Sequence, residues 1–291
     1  MGGLSDPARS VSGARRPGAA GSAEKARSVW TALVVGLLLA GLVIGTLLAG
    51  KFVFFLLAFV VVMLAQAELY AVLKAAGYSP VVVVGLLCGG VLLVGAYERG
   101  EPALALGVTL PLPLLLLWSL TVPIDRARSV IGSTYLGIVY GPLLVGFAVL
   151  LLRGPDGLVL TATVLGMTAF HDAGAYLLGR KIGRHPMAKR TSPGKTWEGY
   201  LAGTLATVAA SCAVLPLIYP FDLWLALRLS LVMSVTTPVG DLAESLVKRD
   251  LGVKDMGSLV PGHGGFFDRI DAIIFNAPIA YFVLRVMGWA P

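Results

Sequence analysis

The sequence predicts an all-α integral membrane protein, a polytopic bundle of about nine transmembrane helices with its N-terminus in the cytoplasm and its C-terminus outside. Three observations carry that prediction. The 291 residues are 57% hydrophobic and only 13% charged, and their mean hydropathy of +0.84 is far outside the soluble range. Apolar runs of membrane-crossing length follow one another from about residue 29 to the end. Basic residues are shared unevenly between alternate connections, as the positive-inside bias requires.

Residues 1–28 are rich in Gly, Ala, Ser, Pro and Arg and have little to bury. They read as a disordered, basic cytoplasmic tail. No small-residue cleavage site clearly follows the basic stretch, so the first apolar run, 29–50, reads as a retained helix. Further spans are expected at 52–73, 80–97, 102–121, 130–152, 157–179, 198–219, 223–243 and 271–289, each near the ~20 residues that cross a bilayer. The 52–73 and 223–243 runs end in polar residues, so those helices are expected to project beyond the hydrocarbon. The chain thus divides into N-terminal helices (29–122), a middle helix that is a candidate dimer contact (123–156) and a C-terminal catalytic region (157–291). Cys88 and Cys212 lie inside apolar runs without metal-type spacing and read as inert thiols with no disulfide.

With the tail inside, the cytoplasmic side also receives Lys74, Arg126, Arg128 and the basic clusters at 180–195 and 248–269. The other side receives Lys51, Arg99, Arg153, Arg228 and Arg285. Both long polar loops then face the cytoplasm. The net charge of +7 mostly reflects this bias; it suits an anionic lipid surface and requires no nucleic acid. A multi-pass protein of the cell membrane is expected.

Polar groups are scarce in residues 29–122 and concentrated in 170–271, so function is expected in the C-terminal half. Asp172 interrupts an apolar span, Asp241 and Glu244 share a helix face at i and i+3, and Asp268 and Asp271 share another. Ionisable groups at membrane depth face a polar cavity or a partner. Carboxylates converging from three segments suit a hard cation such as Mg²⁺, which binds through one or two of them and substrate phosphates. The bland alternative is that each acid pairs with a basic neighbour at the interface. Lys248, Arg249, Lys254 and Arg269 interleave with the acids, and Lys195 lies in the preceding loop. Such cations suit a polyphosphate, or lipid headgroups. Gly264 and Gly265 beside His263 allow close backbone approach. The SPGKT stretch lacks Walker A spacing; its Ser192 or Thr196 is expected to cap span seven. The residues alone point to phosphoryl or nucleotidyl transfer on a lipid.

Residues 245–271 resemble the signature of the phosphatidate cytidylyltransferases, also called CDP-diacylglycerol synthases. The pattern is carried by Ser245, Lys248, Arg249, Lys254, Asp255, Pro261, His263, Gly264, Gly265, Asp268, Arg269 and Asp271. Upstream, DAGAYLLGR, SPGKTWEG and GDLAES are similar to further family segments. Ala173 stands where the family usually has Thr, and Gly194 where it usually has Lys. The resemblance implies transfer of a cytidylyl group from CTP to phosphatidate, giving CDP-diacylglycerol and pyrophosphate. It implies Mg²⁺, with a second cation as an open alternative, and a homodimer in the membrane lipid. Asp241 and Asp268 match the family's metal-binding acids, with Asp172 a third candidate. Catalytic roles are expected for Asp241, Asp268, Lys248, Arg249 and His263. Substrate contacts are expected from Lys254, Arg269, Ser192, Lys195, Thr196, Gly264 and Gly265. A CTP-dependent lipid kinase and an anionic-lipid transporter are the competing readings. The latter predicts polar groups on both membrane faces.

Overall fold

The computed structural model describes residues 19–188, 191–257, 259 and 264–289. Among these, helical segments follow the predicted spans in order: α1 (Ala19–Ala49), α2 (Lys51–Ala75), α3 (Val82–Arg99), α4 (Glu101–Thr109), α5 (Pro111–Ser119), α6 (Ile124–Ile138), α7 (Leu144–Arg153), α8 (Gly157–Ile182), α9 (Trp197–Val214), α10 (Leu223–Asp250) and α11 (Phe267–Val286). Seven segments are long and apolar enough to cross a membrane. The described apolar part of α1, Val34–Ala49, is shorter. α11 carries Asp268, Arg269 and Asp271 near its start and Arg285 near its end. Large apolar side chains face outward all round, among them Val91 at 74% and Leu205 at 72% exposure. In water such a surface would aggregate; in lipid it is the expected exterior. The protein is an all-α polytopic membrane protein.

Several boundaries differ from the sequence reading. α1 starts at Ala19, ahead of the predicted residue 29; the earlier tail residues lie outside the described ones. The 102–121 span is two stacked helices, because Leu110 ends α4 and Pro111 opens α5. The middle helix is interrupted by a π-type turn, Val139–Leu143, around Pro142, which has no N–H to give its own ladder. α8 and α10 run on to Ile182 and Asp250. A small antiparallel hairpin of β1 (Pro186–Ala188) and β2 (Ser192–Thr196) sits between α8 and α9. Glu198 anchors it by accepting the N–H groups of Arg184 (3.0 Å) and His185 (3.1 Å).

α11 packs against α2, α7, α8 and α10, so it joins the N-terminal and C-terminal helices. Glycines bring α8 and α9 together: a Cβ at Gly199 would lie 2.7 Å from both the Ala175 carbonyl oxygen and Gly179 Cα. This is the small-residue packing that membrane helices use. Between α8, α10 and α11 lies a buried polar knot. The Asn276 amide donates to Thr168 (2.8 Å) and Thr237 (2.7 Å), and its oxygen accepts from Thr236 (2.6 Å). Asn276 is fully buried. Asn276→Ala is expected to cost about 1–2 kcal/mol, the upper range for interhelical hydrogen bonds in membranes. Thermal unfolding in micelles measures this, and an unchanged Tm would show that the knot does not set helix register.

Candidate active site

A cavity of about 330 Å³ opens where α8, the hairpin, α9, α10 and α11 meet. Asp172 and His171 enter it from α8, Lys195 and Thr196 from β2, Asp241 from α10, and Asp268, Arg269 and Asp271 from α11. Local structure sets these positions. Thr196 caps α9, its hydroxyl accepting the Gly199 N–H at 3.2 Å, as expected for that position. The cap fixes the adjacent Lys195, which pairs with Asp241. Pro238, one turn before Asp241, also lines the cavity. His171 is buried, with Nδ1 3.8 Å from an Asp172 oxygen.

A second cluster lies beside the cavity. Lys248 donates to Glu244 (2.8 Å) and to Asp268 (2.6 Å), all three being largely buried. Asp268 is more than an ion-pair partner. It accepts the N–H of Gly265 at 2.7 Å and that of Met256 at 3.1 and 3.2 Å, so it ties together both ends of the segment between α10 and α11. The two glycines answer to the same carboxylate chemistry. Gly264 has φ +79, and a Cβ there would lie 2.7 Å from an Asp268 oxygen. A Cβ at Gly265 would lie 2.8 Å from the carboxyl carbon of Glu68, which comes from α2.

The donor set is chemically right for a hard cation: Asp172, Asp241 and Asp271 all open onto one cavity. Among the described residues, no three His, Cys, Asp or Glu side chains are gathered closely enough to hold an ion by themselves. Such a cation would need oxygens from its substrate to complete its shell, as Mg²⁺ commonly does.

The sequence model of the cytidylyltransferase family matches residues 30–287. The chain belongs to this family. Curated relatives named phosphatidate cytidylyltransferase include that of Mycobacterium bovis, 30% identical over 295 residues, covering 97% of this chain and 95% of the relative. That of Mycobacterium leprae is 29% identical over 280 residues, 90% of this chain and 89% of the relative. That of Brucella suis is 40% identical over 141 residues, 47% of this chain and 52% of the relative.

In this cytidylyltransferase the fold gathers Asp172, Lys195, Thr196, Asp241, Asp268 and Arg269 at one cavity. It places other predicted residues elsewhere. Lys248 is behind Asp268. Arg249 and Lys254 are exposed and do not line the cavity, and Ser192 lies back along β2. His263 lies outside the described residues. Gly194 lines the cavity, and a Cβ there would meet nothing within 4 Å, so the family's usual Lys would have open space. Lys195 supplies a cation at that wall. Ala173 is exposed and off the cavity. The sequence reading also left Glu68 out of the site. That reading expected few polar groups in the N-terminal helices, whereas Gln66 and Glu68 of α2 are both buried. The signal available was an acid within an otherwise apolar helix.

Proposed function

We propose that this chain transfers the cytidylyl group of CTP to phosphatidate, releasing pyrophosphate and leaving CDP-diacylglycerol in the membrane. The observation that carries the proposal is the meeting of four carboxylates, Lys195 and Arg269 in one cavity of a cytidylyltransferase-family chain. An oxygen of the phosphatidate phosphate forms the new bond to the α-phosphorus of CTP. The bond from that phosphorus to the bridging oxygen breaks, and pyrophosphate leaves with the electron pair. No general base is needed, because the attacking oxygen is already anionic.

Arg269 and Lys195 face the reacting phosphates and offset the negative charge that repels them. Mg²⁺, when bound, would neutralise the triphosphate and the departing pyrophosphate. Asp241 and Asp172 are its first candidate ligands. Asp241 would have to exchange the Lys195 ammonium for the cation, and Asp268 the Lys248 ammonium. Thr196 and the Gly194 backbone shape the wall beside Lys195. Arg249, Lys254, Ser192 and the glycine pair would act outside this inner set, at the approach or through the loop. A homodimer in the cell membrane with the cavity facing the cytoplasm belongs to the same reading. The basic clusters beside the cavity favour that orientation.

The test uses purified protein in micelles with CTP, Mg²⁺ and phosphatidate, following pyrophosphate and the lipid product together. Pyrophosphate and CDP-diacylglycerol in equal amounts, dependent on Mg²⁺, are expected. CDP with a phosphorylated lipid would instead make the chain a lipid kinase. No turnover by folded protein would overturn the proposal and send the transporter reading to liposomes.

A further inference from the structure

Glu68 belongs to α2, in the half of the chain that lacks the signature segments. Its side chain is buried, at 7% exposure. Oε2 accepts the N–H of Phe267 at 3.0 Å, a bond across 199 residues of sequence to the first residue of α11. Oε1 is buried and has no hydrogen-bond partner among the described residues. The carboxylate lies against two positions without side chains. A Cβ at Gly257 would come within 2.6 Å of its carboxyl carbon, and one at Gly265 within 2.8 Å.

Glu68 therefore touches both arms of the loop that Asp268 ties together through Met256 and Gly265. Two carboxylates, one from α2 and one from α11, lie against the same two stretches of backbone, Asp268 bonded to both and Glu68 bonded to Phe267. A buried carboxylate is costly, and an apolar residue would pack in α2 at no such cost. What Glu68 provides is a fixed position for Phe267. The next two residues are Asp268 and Arg269, both at the cavity wall.

We propose that Glu68 is a positioning residue for cytidylyl transfer, holding the start of α11 and the loop before it so that Asp268, Lys248 and Arg269 keep their places. The inference rests on the proposed function for its kinetic arm only. A displacement of about 1 Å in a reacting group can cost on the order of 100-fold in rate.

The experiment compares the full chain with Glu68→Ala, Glu68→Gln, Gly265→Ala and the Glu68→Ala/Gly265→Ala pair in micelles. It reads kcat, KM for CTP, and hydrogen exchange of the segment 264–271. Glu68→Ala is expected to lower kcat about 10- to 100-fold, as loss of a supporting partner does, with KM for CTP within about twofold and faster exchange at Phe267. Glu68→Gln keeps an oxygen for the Phe267 N–H and is expected to regain most of the rate. Gly265→Ala should cost less in the Glu68→Ala background than alone, because the colliding carboxylate is gone. Wild-type kcat per folded molecule in Glu68→Ala, failure of Gln to rescue, or additive losses in the pair would each overturn the assignment. If the wild type makes no CDP-diacylglycerol, the function has failed instead. Exchange at Phe267 then decides whether Glu68 holds the loop: faster exchange in Glu68→Ala upholds it, and unchanged exchange overturns it.

Discussion

Asp241→Asn is expected to lower kcat by about 1000-fold, the upper end for removing one preorganised electrostatic partner of a reacting phosphate. The substitution keeps size and shape but takes away the charge that faces both Lys195 and the cavity. Lys195 is partly exposed, so its ammonium can turn to solvent, and the fold should survive. The loss should appear in turnover, with the Mg²⁺ dependence moved to higher concentration because an anionic oxygen ligand is missing. Coupled measurement of pyrophosphate and CDP-diacylglycerol across a Mg²⁺ titration reads both effects. Wild-type turnover with an unshifted titration would remove Asp241 from the site.

Asp268→Ala should behave differently, as a loss of structure together with activity. The Asp268 side chain is 4% exposed and bonds Lys248. It also accepts from two backbone N–H groups. Removing one partner of a buried pair leaves an uncompensated charge and costs about 3–5 kcal/mol; Glu244 still faces Lys248, so about 3 kcal/mol is expected here. Thermal unfolding and hydrogen exchange of 256–267 should both register the loss, and turnover should fall below detection. Asp268→Asn retains an acceptor for the backbone but not the charge that faces Lys248, and should recover only part of the stability and none of the activity. Equal stability of Asp268→Ala and wild type would show that the carboxylate does not hold the loop.

These two acids look alike in the sequence: each follows an apolar or glycine-rich stretch and has a second acid three residues on. Three dimensions separate them: both line the cavity and pair with a lysine, but only Asp268 also accepts backbone N–H groups. Helical spans were legible because lipid-facing positions need no periodic pattern, only length and apolarity. The π-type turn at Pro142 and the break at Pro111 were legible as prolines, not as geometry. Asp172, Lys195, Asp241 and Arg269 could be placed together from residue chemistry and the family resemblance. Glu68 could not, since its partner is a backbone N–H in α11 and no side-chain pattern records it. The glycine pair illustrates the same limit. Glycines beside a His suggest room for a ligand, whereas here the nearest claimants of that room are the protein's own carboxylates.

The length of α10 has a further consequence. Its 28 residues measure about 42 Å at a rise of ~1.5 Å each, against a hydrocarbon layer of ~30 Å. Asp241 stands roughly 27 Å along the axis from Leu223. If Leu223 marks the far hydrocarbon surface, that is about 3 Å short of the near one, just beneath the phosphates of the near leaflet. The lipid then has no need to rise out of its leaflet to react; the water-soluble partner descends to meet it, and the heavier product never leaves the plane it started in. The helix works as a depth gauge. A thicker host bilayer would sink the carboxylates further below the phosphate plane and a thinner one would bring them toward it, so turnover should follow the chain length of the surrounding lipid even when the substrate is held constant.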